Sequence, residues 1–153
     1  MNPRAPLLLC ILLGAAVPAL AVQCTLTTSG LHFGALSSQT AGKATARGTL
    51  LLTCRGRIGE SIRYHLQLTQ GNGSYRQRVM QSDANHLAYN LYLDAGRTRI
   101  WGDGSESTGE LSGTVRLPAP VYSWLFPVYA RTQSQAAASA RPYADTVLVE
   151  LTY

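Results

Sequence analysis

Few side chains in this sequence have the means to do chemistry. Four carboxylates, Asp94, Asp103, Glu106 and Glu110, gather around the stretch WGDGSESTGE. Two carboxylates within reach of each other suffice for a glycosidase pair, and several could hold calcium. The spacing favours neither. The Asp-x-Asp-x-Asp-Gly order of an EF-hand loop is missing, and Gly-Asp-Gly reads as a turn, with Trp101 covering a core edge. The histidines, His32, His65 and His86, stand far apart and lack metal-ligand spacing; His65 falls on the polar side of its segment and is expected at the surface. No G-x-S-x-G elbow, H-E-x-x-H helix or phosphate loop occurs. The chain therefore reads as a non-enzyme with no catalytic, cofactor or metal residues. A small secreted hydrolase using Asp103 and Glu110 is the weakest alternative.

The chemistry that remains belongs to cysteine. The first 21 residues, MNPRAPLLLCILLGAAVPALA, carry a basic start at Arg4, a short apolar run and an Ala-Leu-Ala end. That is the pattern of a secretory signal peptide, with cleavage expected after Ala21 and, as a second option, after Ala16. The apolar run is too short for a spanning helix, which needs about 20 residues, so no transmembrane segment is expected after cleavage. Cys10 leaves with the leader. Cys24 and Cys54 remain, and an isolated pair in an exported protein reads as a disulfide. The formal net charge is +5, and losing Arg4 leaves +4. The arginines are scattered, which reads as a solvated surface and not as the concentrated basic face of a nucleic-acid binder.

The elements that must position these residues follow a period of two. Ile62, Tyr64, Leu66 and Leu68 alternate with polar neighbours, as do Leu111, Gly113, Val115 and Leu117. Leu87, Tyr89, Leu91 and Leu93 alternate with Ala88, Asn90, Tyr92 and Asp94. Each set reads as a strand with one buried face. GTLLLTC (48–54) and VYSWLFPVYAR (121–131) read as further strands, the second open to interruption at Pro127. Turn signals stand at GNGS (71–74), DAG (94–96) and GDGS (102–105). SQAAASA (134–140) has no apolar face and reads as a loop. No segment has helical periodicity, so residues 22–153 form one all-β sandwich domain.

Two features stand out against that frame. Tyr122, Trp124 and Phe126 fall on one side of their strand with Val121 and Leu125 on the other, which implies burial of both faces or a contact stripe. The chain ends YADTVLVELTY, placing Val147, Val149, Leu151 and Tyr153 on one face of a last strand.

Cys24 with LHFGAL, LLLTC ending at Cys54, YRQRVM, LAYNLYLD, WGDG and YADTVLVELTY, in that order, resemble the spore coat protein U domain family, shared by pilins of archaic chaperone–usher systems and by secreted coat proteins. The resemblance covers residues 22–153. It implies an immunoglobulin-like β-sandwich lacking its last strand, completed by donor-strand complementation. It further implies a periplasmic chaperone, an outer-membrane usher and neighbouring pilin subunits as partners, and a periplasmic then cell-surface location in adhesion and biofilm. Val147, Val149, Leu151 and Tyr153 would border the acceptor groove. Cys24–Cys54 would staple the first strand to its neighbour. Only Val22 and Gln23 precede Cys24 after cleavage at Ala21, fewer than the roughly 6–10 residues of a donor strand, so a tip position is expected. A self-contained secreted coat protein of the same family is the alternative.

Overall fold

In a computed structural model the described residues are 21–36, 42–133 and 142–153. The expected leader, up to residue 20, and the 134–140 loop lie outside them. Eight strands are formed: β1 (Gln23–Thr28), β2 (Thr45–Arg55), β3 (Ser61–Leu68), β4 (Arg78–Ser82), β5 (Asn85–Tyr92), β6 (Leu111–Arg116), β7 (Val121–Thr132) and β8 (Val149–Thr152). They build two antiparallel sheets, a five-stranded sheet in the order β1-β2-β7-β5-β4 and a three-stranded sheet in the order β6-β3-β8. Among the described residues there is no helix, and so none long and apolar enough to cross a membrane.

The core comes from the inward residues of the period-two segments. Leu50, Leu52 and Cys54 of β2, Ile62, Tyr64, Leu66 and Leu68 of β3, and Leu87, Tyr89 and Leu91 of β5 are all buried. Burying each large apolar side chain stabilises by about 1.5–3 kcal/mol. Cys24 and Cys54 face each other directly in the β1–β2 ladder and form a disulfide, with their Cα atoms 4.1 Å apart. Closing that loop contributes about 3–4 kcal/mol in the chain-entropy description.

The alternation breaks down in β5. Ala88, Asn90 and Tyr92, expected on a polar face, are as buried as their neighbours. Tyr92 lies under the Arg131 guanidinium, 5.3 Å from its carbon. The Asn90 amide donates to the carbonyls of Tyr75 and Arg76 at 2.8 and 3.1 Å, so the loop after β3 covers that side. Nor does Pro127 interrupt β7, which pairs with β2 through Thr49↔Pro127 without a break. Gln133 donates its backbone N–H to Ala88 of β5, and by alternation the odd-numbered residues of β7 turn that way. β5 pairs only with Tyr129–Thr132. The N–H that Pro127 lacks therefore has no ladder partner to serve, and the ring is tolerated.

One arginine departs from the expected solvated surface. Arg78, on the inner face of β4, is 0% exposed. Its guanidinium donates from Nε and Nη2 to the Thr69 carbonyl (3.1 and 2.8 Å), from Nη2 to the Trp101 carbonyl (2.8 Å) and from Nη1 to Asn90 Oδ1 (2.6 Å). The Tyr75 ring lies 5.6 Å from its carbon. The fork thus ties the exit of β3 to β5 and to the loop bearing Trp101, whose own Nε1 donates to Leu66 at 3.0 Å. Its partners are neutral acceptors, so the burial depends on hydrogen bonds and not on an ion pair. Arg78→Ala should cost about 4 kcal/mol in urea unfolding, since it leaves the Thr69 and Trp101 carbonyls without their donor at about 1–3 kcal/mol each and opens a cavity. Arg78→Lys should recover less than half of the loss, because one ammonium cannot span the fork.

Candidate functional site

Of the carboxylates around Trp101, Asp94 and Asp103 are engaged in turn structure and Glu110 in side-chain pairing with β3. Asp94 accepts the backbone N–H groups of Thr98 and Arg99. Asp103 Oδ1 accepts Ser105 N–H at 2.9 Å and its hydroxyl at 2.6 Å. Glu110 Oε1 lies 2.9 Å from His65 Nδ1, and its Oε2 accepts the Gln67 amide at 2.7 Å. His65 is thus a half-buried partner of Glu110 and not a free surface group. Hydrogen bonds from Ser105 hold Asp103, and those from His65 and Gln67 hold Glu110, below the ordinary carboxylate range. A glycosidase acid must instead be held above it. Among the described residues no cluster of three His, Cys, Asp or Glu side chains could hold a metal.

The main apolar feature is a groove of about 450 Å³ at the edge of the sandwich. Its floor is Leu50, Leu68, Met80, Tyr89, Leu91 and Val128. One wall is the segment after β1, with Leu31 and Phe33; the other is the approach to β8, with Tyr143, Val147 and Val149. A second cavity of about 500 Å³ adjoins it, sharing Leu31, His32, Phe33, Met80 and Tyr143.

The far wall is held by Asp145. Its Oδ2 accepts the Tyr89 hydroxyl at 2.6 Å, and its Oδ1 accepts the backbone and side-chain N–H groups of Asn72 at 3.1 and 2.9 Å. Ala144 exchanges backbone hydrogen bonds with Gln81 of β4. The last segment therefore starts against the edge of the five-stranded sheet and ends as β8 in the other. Burial, and then the bond to Asp145, push the Tyr89 hydroxyl well above the usual tyrosine range, so it stays a donor.

β8 is an edge strand. It pairs with β3 through His65↔Thr152 to Leu68↔Val149, and its other side has no strand among the described residues. Thr69 donates to the Leu148 carbonyl at 3.0 Å, so the even-numbered residues bond to β3. By alternation, the N–H and C=O groups of Val147, Val149 and Leu151 face the open side. Those residues also turn half-buried side chains to the core, while Leu148 is 62% exposed.

The family model of the Spore Coat Protein U domain matches residues 11–150. The chain belongs to that family. No curated protein matches it in sequence. The spore coat protein U domain here is also similar to a chain of the CsuC–CsuE chaperone–tip adhesion subunit pre-assembly complex, from archaic chaperone–usher Csu pili of Acinetobacter baumannii. The TM-score is 0.60 at 18% identity, over 87% of this chain and 40% of that one. At that identity the likeness concerns the fold, an all-β one.

Of the four residues expected at the groove, Val147 and Val149 line it. Leu151 sits opposite Leu66 in the ladder, packed on the core beyond the cavity. Tyr153 lies past the end of β8 and is 53% exposed. The aromatic stripe shares the inner face of β7. Phe126 packs on Tyr64 with centroids 5.3 Å apart, and Trp124 on Tyr122 at 5.0 Å. On the outer face, Leu125 (59%) and Val121 (45%) are exposed. Sequence reasoning missed the opposite wall, Leu31 and Phe33, and the pin, Asp145; the strict alternation in LHF was the available signal.

Tyrosine 89 generates a pH prediction. A hydroxyl whose folded pKa is raised contributes stability that is intact below the unfolded value and lost as pH rises above about 10. Stability in urea should fall on going from pH 9 to 11, and Tyr89→Phe should flatten part of that fall. Asp145→Ala at neutral pH should cost about 2–3 kcal/mol, since it leaves the Tyr89 hydroxyl and the Asn72 amide without their acceptor.

Proposed function

We propose that this protein is an exported, non-catalytic structural subunit of a chaperone–usher type pilus, serving surface attachment and biofilm. Its groove accepts a strand from another chain. A periplasmic chaperone supplies that strand first, and a neighbouring subunit replaces it on passage through an outer-membrane usher. The observation that carries the reading is the pairing of an apolar groove with a strand edge that no described strand covers, offered by the same residues, Val147 and Val149. A bare edge beside exposed core is an aggregation hazard. An added strand would satisfy the backbone of Val147, Val149 and Leu151 and seat alternate side chains in the groove. The Cys24–Cys54 staple suits an oxidising compartment.

We further propose a tip position. Mass spectrometry of the exported protein tests it: a mature start leaving ten or more residues before Cys24 would supply a donor strand of its own and count against the tip. The family's name also supports a second reading, a self-contained secreted coat protein. That protein would purify alone as a soluble, cooperatively unfolding monomer.

Capture from the periplasm separates the readings. The tagged protein should bring down a chaperone together with the subunit. Val149→Asp should reduce capture at least tenfold, because it places a charge in the groove where the strand must dock. Leu148→Asp, on the exposed side of the same segment, should leave capture unchanged. Equal capture by both variants would remove the groove from the mechanism.

A further inference from the structure

The segment between β1 and β2 begins with GLHFGAL, Gly30 to Leu36, and it walls the groove on one side and the adjoining cavity on the other. Leu31, Phe33 and Leu36 turn inward onto the core, while His32 and Gly34 turn outward. From Leu31 to Gly34 this is the in–out alternation of a strand. The Phe33 ring meets Tyr89 edge-on with centroids 6.1 Å apart, so it reaches the groove floor beside the Asp145 pin. Yet the segment belongs to no sheet. The last ladder-like bond is Ser29 N–H to Thr49 at 3.0 Å, and from Gly30 to Leu36 no backbone–backbone hydrogen bond is made to another described residue.

Three further observations mark it as displaceable. Gly30 and Gly34 bracket Leu31–Phe33 with φ of 70° and 72°, left-handed conformations that glycine adopts without cost. The segment is also poorly packed. The cavities of about 450 and about 500 Å³ both have Leu31, His32 and Phe33 in their linings, so these residues form a partition between two voids where a closed core would be filled. Finally, strand spacing, sheet spacing and rise give roughly 160 Å³ per strand residue. Neither void alone holds more than about three residues at that volume, whereas the two merged would hold about six, the length of an ordinary strand.

We propose that Gly30–Leu36 is an internal strap that fills the strand site provisionally and is expelled by the incoming strand. This rests on the strand-accepting reading of the groove. It also defines the partner's chemistry: an extended segment with large apolar side chains two residues apart, which replace Leu31 and Phe33 and add the backbone bonds that the strap does not make. Until then the strap shields the groove floor.

The test uses the full chain with and without a flexible C-terminal linker ending in four Val-Thr repeats as the probe strand. In the plain chain, Leu31→Ala/Phe33→Ala should lower Tm by about 5 °C or more, and chymotrypsin should cut slowly after Leu31 and Phe33, whose side chains are packed on the core. In the fused chain Tm should rise, cleavage after Leu31 and Phe33 should speed up at least tenfold, and the double substitution should cost less than about 1 °C. A fused chain with raised Tm, in which the strap is cut as slowly as before and the substitution costs as much as before, overturns the strap while leaving the strand-accepting groove. A fusion that changes neither Tm nor cleavage overturns both. If the plain chain gives no reversible transition, the cleavage comparison decides by itself.

Discussion

At about 4.8 Å per strand, a five-stranded sheet is roughly 10 Å wider than the three-stranded sheet laid over it. That mismatch governs the molecule. The inner face of β1-β2-β7-β5-β4 is largely apolar, and β6-β3-β8 has two strands fewer with which to cover it. On one side the uncovered floor is the groove between Leu31–Phe33 and Tyr143–Val149. Phe126 and Trp124 also remain only half-buried, packed on Tyr64 and Tyr122 respectively. Apolar surface left in water is costly at about 25 cal/mol per Å², which is the physical ground for the proposed completion by a strand from outside.

Where apolar packing is incomplete, polar contacts hold the frame. Arg78 and Asp145 are the two posts. Arg78 ties the end of β3 to β5 and Trp101 through neutral acceptors. Asp145 pins the last segment to Tyr89 and Asn72. Both bond to groups whose positions are set by different strands, so each transmits the register of one sheet to the other. The walls of the groove can then stand apart without collapsing. The Tyr89 side chain belongs to both systems, touching Phe33 with its ring and Asp145 with its hydroxyl.

The acidic loop has the opposite character. Its carboxylates cap turns and pair with His65 and Gln67, which lowers their pKa values. They stabilise a loop that brings Trp101 into the core. A β-sandwich is used for many purposes, so the functional reading rests on the groove and the free edge and not on the fold class.

The sequence by itself determined what is local. Side chains alternate across a strand with period two, so the inward faces of β3 and β6, the turns between strands and the absence of helical pattern could be read directly. So could the Cys24–Cys54 pair, because only two cysteines remain after the leader. Tertiary structure decided what depends on neighbours. Whether the second face of β5 is wet or covered depends on the loop after β3 and on Arg131. Whether Pro127 breaks a strand depends on where β5 ends. Nothing in its own segment distinguishes buried Arg78 from the exposed Arg76 two residues away, since its acceptors come from Thr69, Asn90 and Trp101. The last segment shows both influences. Its alternation announced an inward face at Val147, Val149 and Leu151, but only the strand order β6-β3-β8 left the backbone of those residues facing a side with no strand among the described residues.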